Sequence, residues 1–355
     1  MIIEQLTIQH LRSIRQAELD LAPGINLFCG SNGAGKTSVL EAVHVLATGR
    51  SFRTIQLETL RQHGQAELIL AARVKEGDTH HRIGLSKGAE RLVLRLDAAP
   101  AKRLSEIARH LAVIALHADS DQLVQGGPSL RRRFLDWWLF HSRSDFFAEW
   151  MRYQRLLKQR NAALRTDPRQ LPAWDEPLAH AGEVVAGFRR EAAERLMGQL
   201  ERRLVELGEF AGFSWSLHSG WSRGEPLLEV LRRSRSRDRE QGFTSNGPHR
   251  AELRLQVMGR EAKEVLSRGQ QKTLATLMLL SLAESYRLER QTLPVILLDD
   301  LAAELDGQHR EHLLHHLIRL GGQILLTALK GGELDPWLPS STRRFAVRGG
   351  IVTVL

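Results

Sequence analysis

The chain has 355 residues, 42% hydrophobic and 26% charged, a length and balance that fit a large α/β domain with a sizeable insertion and exclude wholesale disorder. Fifty Lys+Arg against 41 Asp+Glu leave a net charge of +9; the basic residues are mostly arginine, whose planar fork suits phosphate, yet charge alone does not decide for a nucleic acid. A single cysteine, Cys29, rules out an internal disulfide. With Glu4 near the start and no apolar run near the ~20 residues of a membrane span, it predicts a cytoplasmic protein.

Residues 2–9 alternate in polarity and predict an opening strand, followed by a second at 18–21. After Pro23-Gly24, residues 25–29 form a short apolar strand leading into Gly30-Ser-Asn-Gly-Ala-Gly-Lys-Thr37. Helical spacing then runs over 38–47 until Gly49 stops it. Residues 66–96 read as hairpins. Beyond Gly126-Gly127-Pro128 the pattern becomes helical, with one stripe of Phe146, Trp150, Tyr153, Leu157 and Leu164 and another of Val185, Phe188, Ala192, Leu196, Leu200 and Leu207. Both stripes are read as packed core. The arginine-dense 231–240 lacks apolar periodicity and reads as a solvated loop or helix end. Residues 121–242 carry 21 basic and 17 acidic side chains, so the charge surplus is spread over the chain. Strand character returns at 253–257, a helix is predicted from about 270 to 290, and 294–298 and 324–326 are apolar runs suited to buried parallel strands.

The first constellation that carries chemistry is G-x-x-x-x-G-K-[ST] at 30–37, between a strand and a helix, where it binds ATP or GTP. Its backbone N–H groups and the helix N-terminus cradle phosphates, Lys36 reaches the β/γ oxygens and the Thr37 hydroxyl ligates Mg²⁺. The second is the apolar strand ending in Asp299-Asp300, in which Asp299 is expected to hold Mg²⁺ and Asp300 to orient the attacking water as the catalytic carboxylate with Lys36. The third is Leu266-Ser267-Arg268-Gly269-Gln270-Gln271-Lys272, a Ser and Gly at a helix start, a second phosphate-binding element that most simply serves a second nucleotide. His309, His312, His315 and His316 have metal-compatible spacing, but Leu313, Leu314, Leu317 and Ile318 mark an apolar helix face with the histidines mostly on the wet side. No metal besides Mg²⁺ is expected.

Loop, signature and acids, followed by Glu304-Leu305-Asp306, resemble the ATP-binding cassette heads of the SMC and Rad50 type. That resemblance implies an α/β fold, an ABC-type P-loop ATPase head with a mixed sheet and helices, formed by 1–120 and 243–355, with a helical arm or lid at 121–242. In such heads two ATP molecules are clamped between two copies, each by the loop of one and the signature of the other. His10-Leu-Arg-Ser-Ile resembles their first strand pair and assigns Arg12 to the nucleotide, with Gly30, Ser31, Asn32, Gly33, Ala34, Gly35, Lys36, Thr37 and Ser38 from the loop and Ser267, Gly269 and Gln270 from the signature.

The segments 47–54, 119–136, 159–165 and Gly247-Pro-His-Arg250, with the signature, are similar to blocks of the RecF family of DNA replication and repair proteins. Membership implies a weak, DNA-stimulated ATPase without a long coiled coil. It implies an ATP-dependent homodimer on double-stranded DNA and single/double-strand junctions, with RecR and RecO as partners and RecA indirectly. The chain departs from the pattern at Ala303, at Ala251 and in lacking a histidine near Thr327-Ala328; that lack, with Asp300 in place of a glutamate, implies slow turnover. Two other readings remain open: the energy-coupling subunit of a membrane transporter, and a DNA clamp in which hydrolysis is irrelevant. Arg131 to Arg133 either touch DNA or pair with acids of the arm.

Overall fold

In the computed structural model of the protein, 1–355 are described except 55, 90, 301–306, 333 and the side chains of 308 and 309. Glu304, Leu305, Asp306, Ala303 and the His309 side chain, all weighed above, lie outside the described residues. By packing, the chain forms two compact units, 1–120 with 290–355, and 121–289. Residues 243–289, grouped above with the head by their chemistry, pack in the second unit.

The first unit holds two sheets. One is antiparallel, in the order Ile14–Asp20, Ile2–Leu11, Leu68–Glu76, Thr79–Lys87, Leu92–Leu96 and Ala99–Pro100. The opening strand does not keep strict alternation. A register shift between Ile3 and Gln5 changes its parity, so Ile3, Leu6 and Ile8 all reach the core instead of the even-numbered face beginning at Ile2. The other sheet runs Ile351–Val354, Arg343–Arg348, Ile25–Cys29, Ile324–Ala328, Val295–Leu298 and Val113–Leu116. Its inner pairings are parallel and its outer hairpin antiparallel. The three central strands Ile25–Cys29, Val295–Leu298 and Ile324–Ala328 are buried at every residue, the pattern of a sheet covered on both faces.

The second unit is mainly helical. Phe146–Thr166 and the 37-residue helix Leu171–Leu207 lie against one another. Of the predicted stripes, Phe146, Tyr153, Leu157 and Leu164, and Val185, Ala192, Leu196 and Leu200, are buried. Leu207, the last residue of its helix, is instead exposed, and Leu204 takes the inward place. Among the described residues no helix exceeds these 37 and none builds a long coiled coil. Residues 231–240 form a helix end and a short second helix, Leu227–Arg233 and Arg235–Gln241, with most of the arginines exposed but Leu231 and Asp238 fully buried. A three-stranded sheet, Arg260–Glu261, Glu252–Val257 and Phe213–His218, completes this unit.

Among the described residues no helix is long and apolar enough to cross a membrane.

Candidate nucleotide site

Gly30 leaves the strand Ile25–Cys29 at a point where a Cβ would lie 2.2 Å from the Val347 carbonyl oxygen, so only glycine lets the loop start beside the neighbouring strand. The loop turns through Gly33 and Gly35, with φ of 76° and 113°, and Gly35 precedes the helix Lys36–Thr48. Lys36 is buried. Its Nζ donates to the carbonyls of Gly30 and Ser31 at 2.7 and 3.1 Å, inside the concave face of the loop. Ala34 and Ser38 are also buried, while Ser31, Asn32 and Gly33 are exposed at the rim.

The strand Val295–Leu298 delivers the acids. Thr37 Oγ1 donates to Asp299 Oδ1 at 3.0 Å, joining residues 262 positions apart. Thr327 Oγ1, at the end of the adjacent parallel strand, donates to the same oxygen at 2.9 Å and accepts the Asp300 N–H at 2.7 Å. Asp300 adopts the left-handed conformation, φ 49°, which aspartate tolerates better than most residues. Burial raises the Asp299 carboxyl above the usual carboxylate range; Asp300 adds to the shift, while hydrogen bonds from Thr327 and Thr37 and the charge of Arg53 oppose it.

Arg12, with φ 51°, is held by the fully buried Glu41, which accepts from both Nε and Nη2 and also from the Ser51 hydroxyl. Phe52 packs between His44 and His117. Burial pushes His44 down to about 4, and its Nδ1 donates to the Arg50 carbonyl at 2.7 Å. Residues 50–53 therefore wrap Glu41 and bring Arg53 toward the acids. Sequence reasoning missed Glu41, Thr327 and Arg53. Glu41, in the helix directly after the loop, was open to notice, whereas Thr327 was visible only as the absence of a histidine.

In the second unit the signature opens the helix Arg268–Arg290 with a reciprocal cap: Ser267 Oγ accepts the Gln270 N–H at 3.3 Å and Gln270 Oε1 accepts the Ser267 N–H at 2.9 Å. Ser267, Arg268, Gly269 and Gln270 are all exposed, and Gln271 is buried, donating to the Lys263 and Leu266 carbonyls. The loop and acids are thus assembled within one unit, and the signature is presented by the other.

The remaining sequence blocks have structural duties in the second unit. Arg131 pairs with Glu252 at 2.8 Å and donates to the carbonyls of Leu123, Val124 and Gly126, and Arg132 donates to the Ala251 carbonyl. Arg189 clamps Asp136 and donates to Pro248, and the Tyr153 hydroxyl meets His249 Nδ1 at 2.6 Å. Arg160, fully buried, donates to Asp175, Asp238 and Thr244.

The family model described as RecF/RecN/SMC N terminal domain matches residues 2–336. The DNA replication and repair protein RecF of Xanthomonas oryzae pv. oryzae (strain MAFF 311018) is 41% identical to this chain over 99% of it and 100% of the relative. The chain belongs to the RecF family. RecF of Thioalkalivibrio sulfidiphilus (strain HL-EbGR7) is 40% identical over 100% of this chain and 99% of its own. The solved structure of the recombination mediator protein RecF-ATP in the RecFOR pathway superposes with a TM-score of 0.90 at 24% identity, covering 99% of this chain and 97% of that one. An Smc head bound to the C-winged helix domain of ScpA reaches 0.60 at 15%, covering 100% and 97%. The fold is therefore the ABC-type ATPase head that RecF shares with SMC proteins.

Proposed function

We propose that this RecF-family chain is a cytoplasmic, ATP-dependent DNA-binding ATPase of recombinational repair and replication-fork maintenance. Two copies close on two Mg²⁺-ATP and grip double-stranded DNA near gaps and single/double-strand junctions. RecR and RecO are its partners, and RecA recombinase is loaded on single strands through them. The observation that carries the reading is the Thr37–Asp299 hydrogen bond, which ties the phosphate loop to the acids across nearly the whole chain.

Functionally the head comprises 1–120 and 243–355 and the arm 121–242, although 243–289 pack with the arm. The loop N–H groups and Lys36 bind the phosphates, Lys36 exchanging the carbonyls of Gly30 and Ser31 for phosphate oxygens. Thr37 and Asp299 offer hard oxygen donors 3.0 Å apart, and a buried acid beside a second acid suits a divalent cation. When bound, Mg²⁺ supplies charge neutralisation at the β/γ-phosphates. Asp300 orients the water and takes its proton, its backbone fixed by Thr327. A carboxylate one methylene shorter than glutamate, with threonine rather than histidine beside it, makes hydrolysis slow and leaves DNA to stimulate it. Arg12 reaches the same nucleotide, and Ser267, Gly269 and Gln270 complete the site of the other copy.

Size-exclusion chromatography and duplex-DNA retention with ATP, ADP or no nucleotide test this. ATP alone is expected to give a DNA-retained dimer. Ser267→Arg is expected to bind ATP yet stay monomeric, and a Ser267→Arg variant that still dimerises sinks the two-copy site.

A further inference from the structure

The strand Phe213–His218 is hydrogen-bonded to Glu252–Val257 on one side only. Among the described residues no backbone group of 214–218 bonds outside that ladder, so one row of N–H and C=O groups is open. A cavity of about 670 Å³ lies on this edge: the consecutive residues Trp215, Ser216, Leu217 and His218 all line it, though their side chains point alternately to opposite faces. Its other wall is the face of the helix Leu171–Leu207 that carries Glu183, Arg190 and Glu194. A groove between a free strand edge and a helix is the geometry in which extended peptides add to a sheet.

Three arginines and three glutamates line the groove, and of the glutamates only Glu225 is neutralised by an ion pair, with Arg233 outside the lining. Glu183 accepts the Leu227 N–H at 2.8 Å and Glu225 pairs with Arg233. Among the described residues Arg190, Arg223 and Arg254 have no hydrogen-bond or ion-pair partner, and with Glu183 and Glu194 both left without an ion pair the lining keeps an excess of one positive charge. Both tryptophans are partly buried with their indole N–H groups engaged, Trp215 to Glu201 at 2.9 Å and Trp221 to the Glu225 carbonyl at 3.0 Å, so they are rigid apolar anchors. His218 Nδ1 accepts the Gly220 N–H at 3.1 Å, which leaves Nε2 as a donor.

We propose that this groove docks an acidic, extended segment of a partner protein as a fourth strand. Its main chain pairs with the open edge of 213–218, alternate apolar side chains meet Trp215 and Leu217, and the intervening carboxylates meet the arginines. The open main-chain row favours a peptide over a nucleic acid, whose sugar-phosphate backbone offers no amide ladder. An edge of six residues spans ~20 Å at ~3.3 Å per residue, enough for a segment of similar length.

The probe is a fluorescein-labelled seven-residue peptide of alternating Asp/Glu and Val, read by anisotropy on the full chain. A Lys-for-acid counterpart, two versions N-methylated at opposite sets of alternate amides, and an oligodeoxythymidylate competitor accompany it. The acidic peptide is expected to bind, the basic one to bind at least about tenfold more weakly, and only one N-methylated set to lose about tenfold. The surface double variant Arg190→Glu/Arg254→Glu is expected to lose about tenfold, and Arg237→Glu, exposed outside the groove, less than about twofold. Equal binding of acidic and basic peptides, equal effects of the two N-methyl sets, or displacement by oligodeoxythymidylate that the double variant abolishes overturns the proposal. ATP-dependent dimerisation, measured on the double variant, is expected to be unchanged. The groove and the nucleotide reading therefore fail separately.

Discussion

Thr327 uses its one hydroxyl on both acids of the proposed nucleotide site, donating to Asp299 and receiving the Asp300 N–H. Valine has the same shape without the hydroxyl. Thr327→Val is expected to leave ATP affinity within about twofold and to lower single-turnover hydrolysis about tenfold, roughly one hydrogen bond at a preorganised site. Glu41 sets Arg12 in the same indirect way. Glu41→Gln keeps the shape but weakens the grip on the guanidinium, and titration calorimetry is expected to show ATP binding about tenfold weaker. Two half-buried histidines, His44 and His249, are each pushed down to about 4, chiefly by desolvation, while the unfolded chain protonates near 6.5. Each contributes stability that is fully present above about pH 6.5 and lost as the pH falls toward 4, at up to about 1.4 kcal/mol per unit. Urea unfolding between pH 4 and 7 is expected to show a shallower acid limb in His249→Asn than in the wild type. The roles of Thr327 and Glu41 depend on hydrogen bonds to residues 27 to 29 positions away on other elements, which spacing along the chain does not reveal.

At the scale of elements, local chemistry was legible wherever one segment sufficed. The strand Ile25–Cys29, the helix ended by Gly49 at φ 63° and the capped helix beginning after Ser267 follow from apolar runs, glycine and a Ser-x-x-Gln spacing. Val113–Leu116 was not assigned as a strand, since four apolar residues have no period to distinguish strand from helix; its parallel partner Val295–Leu298 decides it. The arginine-dense 231–240 was legible as a solvated helix end, but its inward residues were not. Its few inward residues, Leu231 and Asp238, are held by a distant helix that carries Arg160. The loop's first glycine gives an element-level test. Gly30→Ala places a Cβ against a backbone oxygen of the adjacent strand, whereas Gly24→Ala meets nothing within 4 Å at an ordinary φ. Gly30→Ala is expected to cost about 3 kcal/mol or more in denaturant unfolding, and Gly24→Ala to stay within about 1.

On the scale of the molecule, one fully buried cation ties together several elements of the second unit. Arg160 joins Asp175, Asp238, Thr244 and the Leu231 carbonyl, residues 15 to 84 positions away. Removing it leaves the buried Asp238 without a cation and Asp175 with Arg235 alone. Arg160→Ala is therefore expected to destabilise that unit by about 3–5 kcal/mol in urea, while ATP binding at 30–37 is retained if the units unfold separately. The sequence by itself carried the local patterns of the proposed nucleotide site: a phosphate loop between strand and helix, an apolar strand ending in two acids and a Ser-Gly helix start, whose physics needs only neighbouring residues. Tertiary structure alone decided which side chains stand behind that chemistry. Thr327 beside the acids, Glu41 beneath Arg12, the arginine blocks turned inward and the open edge at 213–218 arise from strand order and packing. Those bring together groups that no spacing along the chain relates.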